Sequence, residues 1–152
     1  METRSIERSE TFPASPAELF GLLITPSAIR EWWSAARAIV LHETGGLWAA
    51  TWGDDEDAPE YMTIATIQTY DPPKRLVLGD YRYRSKDGPL PFDADFVITF
   101  EVDAAPEGAR LTVRQEGFPG DERADDFLAG CEQGWHDTFA GIRRNLSKDG
   151  SA

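Results

Sequence analysis

The chain has 152 residues, the length of one domain, and a net charge of −12 from 27 acidic and 15 basic residues. That surface repels phosphate backbones and anionic lipid, so neither nucleic acid nor membrane is expected as a partner. The lone cysteine, Cys131, excludes an intramolecular disulfide framework and fits a reducing compartment. No secretory pattern opens the chain and no apolar run is long enough to span a bilayer, so the expected location is cytoplasmic. Without a Pro/Gly/Ser-rich linker, residues 1–152 read as a single domain with an ordered core over about 5–147.

Residues 5–12 (SIERSETF) alternate apolar and polar and read as a first strand. A helix comes next over SPAELFGLLI, with Ser15 as N-cap, Pro16 at the first helical position and Glu18 closing a capping box. Pro26 ends it, and a second short helix, SAIREWW at 27–33, starts from Thr25 or Ser27. Strand chemistry then dominates: 39–41, 47–52, 61–70, 75–83, 96–102 and 110–117 are rich in β-branched and aromatic residues. Short turns separate them, including Gly45-Gly46, Asp71-Pro72-Pro73 and Pro106-Glu107-Gly108, which implies an antiparallel meander.

After Phe118-Pro119-Gly120 the period changes to 3.6, with Asp121 as an N-cap, acids in the first turn and a helix over about 121–147. Leu128, Cys131, Trp135, Phe139, Ile142 and Leu146 share its apolar face. Gly130, Gly134 and Gly141 fall together on a strip beside that face, although each glycine costs a helix interior about 0.8–1 kcal/mol relative to alanine. Either the helix backbone packs closely against a neighbour there, or the strip leaves room for a ligand. The order of elements is strand, two short helices, six strands and one long helix, an α+β chain.

These pieces are familiar. FPASPAELFGLLITPSAIREWW, HETGGLW, IQTYDPPKRLVL, ITFEVDAAPEGARLTVRQEGFP and GCEQGWHDTFAGIRRNL, in this order and spacing, resemble the family related to the activator of the heat-shock-protein-90 ATPase. That family lies within the START/Bet v-like helix-grip superfamily (SRPBCC). The resemblance implies a helix-grip fold, in which a curved antiparallel sheet grips the long helix and the short helices plug one end. It also implies an apolar cavity between sheet and helix, with Gly134 and Trp135 at its wall.

Alternation suggests which side chains would line such a cavity. Trp48, Ala50 and Trp52 share a strand face, as do Phe96, Ile98, Phe100 and Val102, and as do Leu111, Val113 and Gln115. Gln115 then points inward near the end of its strand, where relatives also carry a polar residue. Leu76 and Leu78 put Asp80 on their face, where relatives frequently carry tryptophan. Either the register slips at Gly79 or a carboxylate faces the cavity. Trp32 and Trp33 are adjacent, so only one is expected to point inward; the other is exposed or packed under a loop, and an exposed one could support a homodimer patch.

Other chemistry is thinly represented. There is no Gly-x-Ser-x-Gly elbow, and His136 points away from Cys131 on the helix, so no nucleophile pair is readable. His42 and His136 lack ligand-spaced partners, and the acidic run at 54–57 lacks a calcium-loop pattern. No metal or cofactor is therefore expected. The positive signal is aromatic, with five Trp, eight Phe and four Tyr. The expected function is binding of a small hydrophobic molecule, as carrier or sensor. Its site would draw on Trp32, Trp48, Trp52, Asp80, Phe96, Ile98, Gln115, Cys131, Gly134, Trp135 and Phe139. Two alternatives stay open: a cyclase- or dehydratase-type enzyme using Asp80 as its acid, and a chaperone-interacting protein of the kind the family name suggests.

Overall fold

The protein is described by a computed structural model covering residues 3–150, with side chains described as far as residue 147. Strand β1 (Thr3–Phe12) leads into helix α1 (Pro16–Ile24) through the capping box that the sequence spells. Ser15 Oγ accepts from the Glu18 backbone N–H at 3.2 Å, and the Glu18 carboxylate accepts from the Ser15 N–H at 3.3 Å. Helix α2 (Pro26–Trp32) starts at Thr25, whose hydroxyl caps nothing ahead because it donates back to the Gly21 carbonyl at 2.6 Å.

Strands β2 (Arg37–Val40), β3 (Leu47–Trp52), β4 (Tyr61–Asp71) and β5 (Arg75–Ser85) come next, in the expected order. A two-residue strand, β6 (Gly88–Pro89), pairs with the end of β5; it escapes a sequence reading because two residues carry no period. The hairpin of β7 (Phe96–Ala105) and β8 (Gly108–Pro119) completes the sheet. All pairings are antiparallel, in the order β1-β8-β7-β5-β4-β3-β2, so the first strand closes beside the last. Asp121 caps a short 3-10 turn (Glu122–Ala124), and the chain then enters the long helix α3 (Asp125–Gly150). Arg4 fastens that entry by donating to the Asp125 carboxylate at 2.8 Å. The architecture is therefore α+β, an eight-stranded sheet with a long C-terminal helix.

The core lies between sheet and helix. Trp48 and Ala50, then Phe96, Ile98, Phe100 and Val102, then Leu111, Val113 and Gln115, are each no more than 3% exposed. Burying each such large apolar side chain contributes roughly 1.5–3 kcal/mol. From α3 come Trp135, Phe139 and Ile142, while Leu19, Phe20 and Leu23 of α1 and Ile29 and Trp32 of α2 cover one end. No helix among the described residues is long and apolar enough to cross a membrane.

An irregularity in β5 decides which of its side chains face the core. Leu78 pairs with Ile98 and Tyr81 with Phe96, so Gly79 and Asp80 together face a single residue of β7. The same two-for-one count recurs against β4. This is a bulge, with Asp80 in the left-handed region at φ 48°, which Asp tolerates better than most side chains. The extra residue resets the alternation: Leu76, Leu78 and Tyr81 are buried and Tyr83 half-buried, while Asp80, Arg82 and Arg84 are exposed.

Candidate functional site

Between the sheet and α3 lies a cavity of about 480 Å³. Trp33 at the end of α2, Trp52 of β3, Tyr61 and Thr63 of β4, Tyr83 of β5 and Gln115 of β8 form one side. Asp126, Phe127, Gly130, Cys131, Gly134, Trp135 and Thr138 of α3 form the other. Rings touch around much of the wall. Trp33 and Trp52 meet edge-on at 5.0 Å, Trp52 and Tyr61 at 5.6 Å, and Tyr83 and Phe127 at 5.0 Å.

The helix glycines divide. A methyl group added at Gly130 or Gly134 would meet nothing within 4 Å, so these two residues leave the helix wall of the cavity open. At Gly141 it would run into the backbone carbonyl of Trp32, so this glycine lets α2 and α3 approach closely. Cavity clearance and packing clearance are both present on one strip, about two to three helical turns apart.

A short polar thread crosses the inner wall. Trp135 Nε1–H, which can only donate, donates a hydrogen bond to Gln115 Oε1 at 2.8 Å. That bond orients the amide, and Gln115 Nε2 donates to the Tyr83 hydroxyl oxygen at 3.0 Å. Gln115 is fully buried, so both of these bonds are needed to offset its desolvation. Burial pushes the Cys131 thiol up to about 12 and holds the hydroxyls of Tyr61, Tyr81 and Tyr83 above their ordinary range. These groups are uncharged at neutral pH, and no Lys or Arg lines the cavity among the described residues. The one charged side chain among the described lining residues is the exposed Asp126 at the rim.

Five of the residues expected from sequence come together here: Trp52, Gln115, Cys131, Gly134 and Trp135. Six do not. Trp48, Phe96, Ile98 and Phe139 stand behind the walls as core residues, at most 1% exposed. Alternation predicts which face a residue shares, but not how deep under that face it lies. Trp32 points away and donates its indole N–H to the Leu22 carbonyl at 2.8 Å. Trp33 takes the cavity position, packed 5.6 Å from Trp48. Trp32 is buried and Trp33 half-buried, so of the two placements open to the second tryptophan the packed one is found.

Asp80 is corrected most plainly. Of the two outcomes the sequence left open, the register slips at Gly79: the bulge turns Asp80 to the outer face, so a residue counted among the cavity's, and the acid of the enzyme alternative, lies outside it. Tyr83, which occupies the inner wall in its place, was missed because unbroken alternation puts it on the opposite face. Tyr61 and Thr63 were legible in principle, since they share parity with Ala65 and Ile67 in YMTIATI, but both parities of that strand carry apolar residues.

Fold and site together define a helix-grip protein with an aromatic cavity. The sequence model of the Activator of Hsp90 ATPase homolog 1-like protein family matches residues 13–147, and the chain belongs to that family. No curated protein matches it. Among solved structures, a protein of Mesorhizobium loti is 21% identical with a TM-score of 0.75, over 95% of this chain and 98% of that one. A Rhizobium leguminosarum protein is 16% identical with a TM-score of 0.76, over 97% of this chain and 96% of the other. CalU16 from Micromonospora echinospora is 16% identical with a TM-score of 0.67, over 97% and 78%. At such identities the likeness is one of fold.

Proposed function

We propose that this protein binds a small hydrophobic molecule in the cavity between sheet and long helix, as a carrier or sensor. The observation that carries this reading is the pair Gly130 and Gly134. A helix that keeps two interior glycines forgoes about 0.8–1 kcal/mol at each, and here no neighbouring atom requires either one. What they leave open is space lined by six aromatic rings and a few uncharged polar groups, the composition of a small-molecule site. A packing role explains Gly141 and explains neither of the others.

Native mass spectrometry on gently purified protein tests the reading, with Gly134→Leu as the filled-cavity control. Leucine restores helix propensity at that position and its Cβ meets nothing within 4 Å, so the variant is expected to fold. An added mass on the wild-type chain that is lost in the folded variant supports ligand binding at this site. An adduct equally retained by both would remove the cavity from the proposal. Bare chain mass in both, with no thermal stabilisation by apolar probes, would overturn the binding reading and leave the chaperone-interacting role in front.

A further inference from the structure

We infer that the cavity selects an uncharged, flat aromatic molecule bearing a carbonyl-type oxygen, which the Tyr83 hydroxyl holds, and that it rejects carboxylates. This rests on the ligand-binding reading above and narrows it. The starting point is Trp135, whose indole N–H has no acceptor capacity. Because it donates to Gln115 Oε1, the amide cannot flip, and the Gln115 NH₂ group must face the Tyr83 oxygen. The Tyr83 oxygen is thereby an acceptor, and its own proton is left to point elsewhere. The Cys131 sulfur and the Tyr81 hydroxyl are its near neighbours and weak partners, which a better acceptor on a ligand would displace.

A second, independent observation lies beside it. Thr63 lines the cavity and is 1% exposed, and among the described residues its hydroxyl has the buried Tyr81 hydroxyl as its neighbour without a well-formed hydrogen bond between them. Leaving a buried hydroxyl without a well-formed bond is costly, so Thr63 marks where a polar ligand atom is to be expected. The chemistry of these hydroxyls fixes its kind. Hydroxyls that stay protonated donate to a carbonyl or ether oxygen. Among the described residues no Lys or Arg lines the cavity to neutralise a carboxylate, and the rim carries Asp126, which repels one. The walls are ring edges and faces, suited to a flat aromatic body.

Three compounds of one shape test this: fluorene, 9-fluorenone and fluorene-9-carboxylate, titrated against the intrinsic fluorescence of Trp33, Trp52 and Trp135. Tyr83→Phe is expected to weaken fluorenone about fivefold to tenfold, the loss of one neutral hydrogen bond, and to leave fluorene unchanged. The carboxylate is expected to bind the wild-type protein at least about tenfold more weakly than fluorenone. The carbonyl stretch of fluorenone bound to the wild-type protein is expected below its value in hexane, which tests the hydrogen bond even if the variant fails to fold. Equal losses for fluorene and fluorenone, a carbonyl stretch at the hexane value, or a carboxylate that binds as well as the ketone would overturn the inference. In each of those cases fluorene still binds, and the broader ligand-binding reading stands. Failure of all three to bind would overturn both.

Discussion

A methyl group at Gly130 has open space around it, and one at Gly141 strikes the Trp32 carbonyl, although both glycines sit in the same helix. The same substitution should therefore act in opposite directions at the two positions. Gly130→Ala is expected to raise stability by about 0.8–1 kcal/mol, the helix-propensity gain with no steric cost. Gly141→Ala is expected to lower it by about 1–3 kcal/mol, as α2 is pushed off α3. Urea unfolding of the two variants reads both signs, and a gain at position 141 would contradict the close approach. The neighbouring tryptophans make a similar contrast. Trp32 is held by its bond to the Leu22 carbonyl, while Trp52 donates to the Trp33 carbonyl at 3.2 Å and so braces the cavity's outer corner.

The β5 bulge is the decisive element, because one extra residue exchanges the two faces of everything beyond it. With it, Tyr81 and Tyr83 turn inward and Arg82 and Arg84 stay outside. Without it, two arginines would enter the core. The bulge depends on Asp80 tolerating a φ of 48°. Asp80→Gly is therefore expected to be neutral or slightly stabilising. Asp80→Val, β-branched and left-handed, is expected to cost about 1–2 kcal/mol. The same variants separate Asp80 from ligand binding: apolar-probe affinity of Asp80→Gly is expected to match the wild type, since the carboxylate faces outward. A large loss of binding in that variant would restore Asp80 to the site.

Across the whole molecule, the buried cavity groups tie stability to alkaline pH. Cys131 has an ordinary value of 9.0 and is pushed up to about 12 in the fold, so between these values the unfolded chain has released a proton that the folded chain keeps. The unfolded state is then favoured as pH rises, and the contribution present below pH 9 is lost on the way to 12. Tyr61, Tyr81 and Tyr83, raised from 10.0, add losses of the same sign above pH 10. Stability by urea unfolding is expected to be lower at about pH 10.5 than at about pH 8, with a shallower decline in Cys131→Ala; a flat profile would mean these groups are solvated.

The element order, the α1 cap and the inward faces of β3, β7 and β8 are local matters, set by propensity, capping chemistry and period-2 alternation, and the sequence determined them by itself. It likewise determined the segregation of Gly130, Gly134 and Gly141 to one strip and the inward polar position of Gln115. Tertiary structure alone decided which glycine serves the cavity and which serves packing, because that depends on the Trp32 carbonyl, far away in the chain. It alone put Tyr83 in the wall and Asp80 outside it, because a bulge is fixed by its pairing with both flanking strands and leaves no period in the sequence of one.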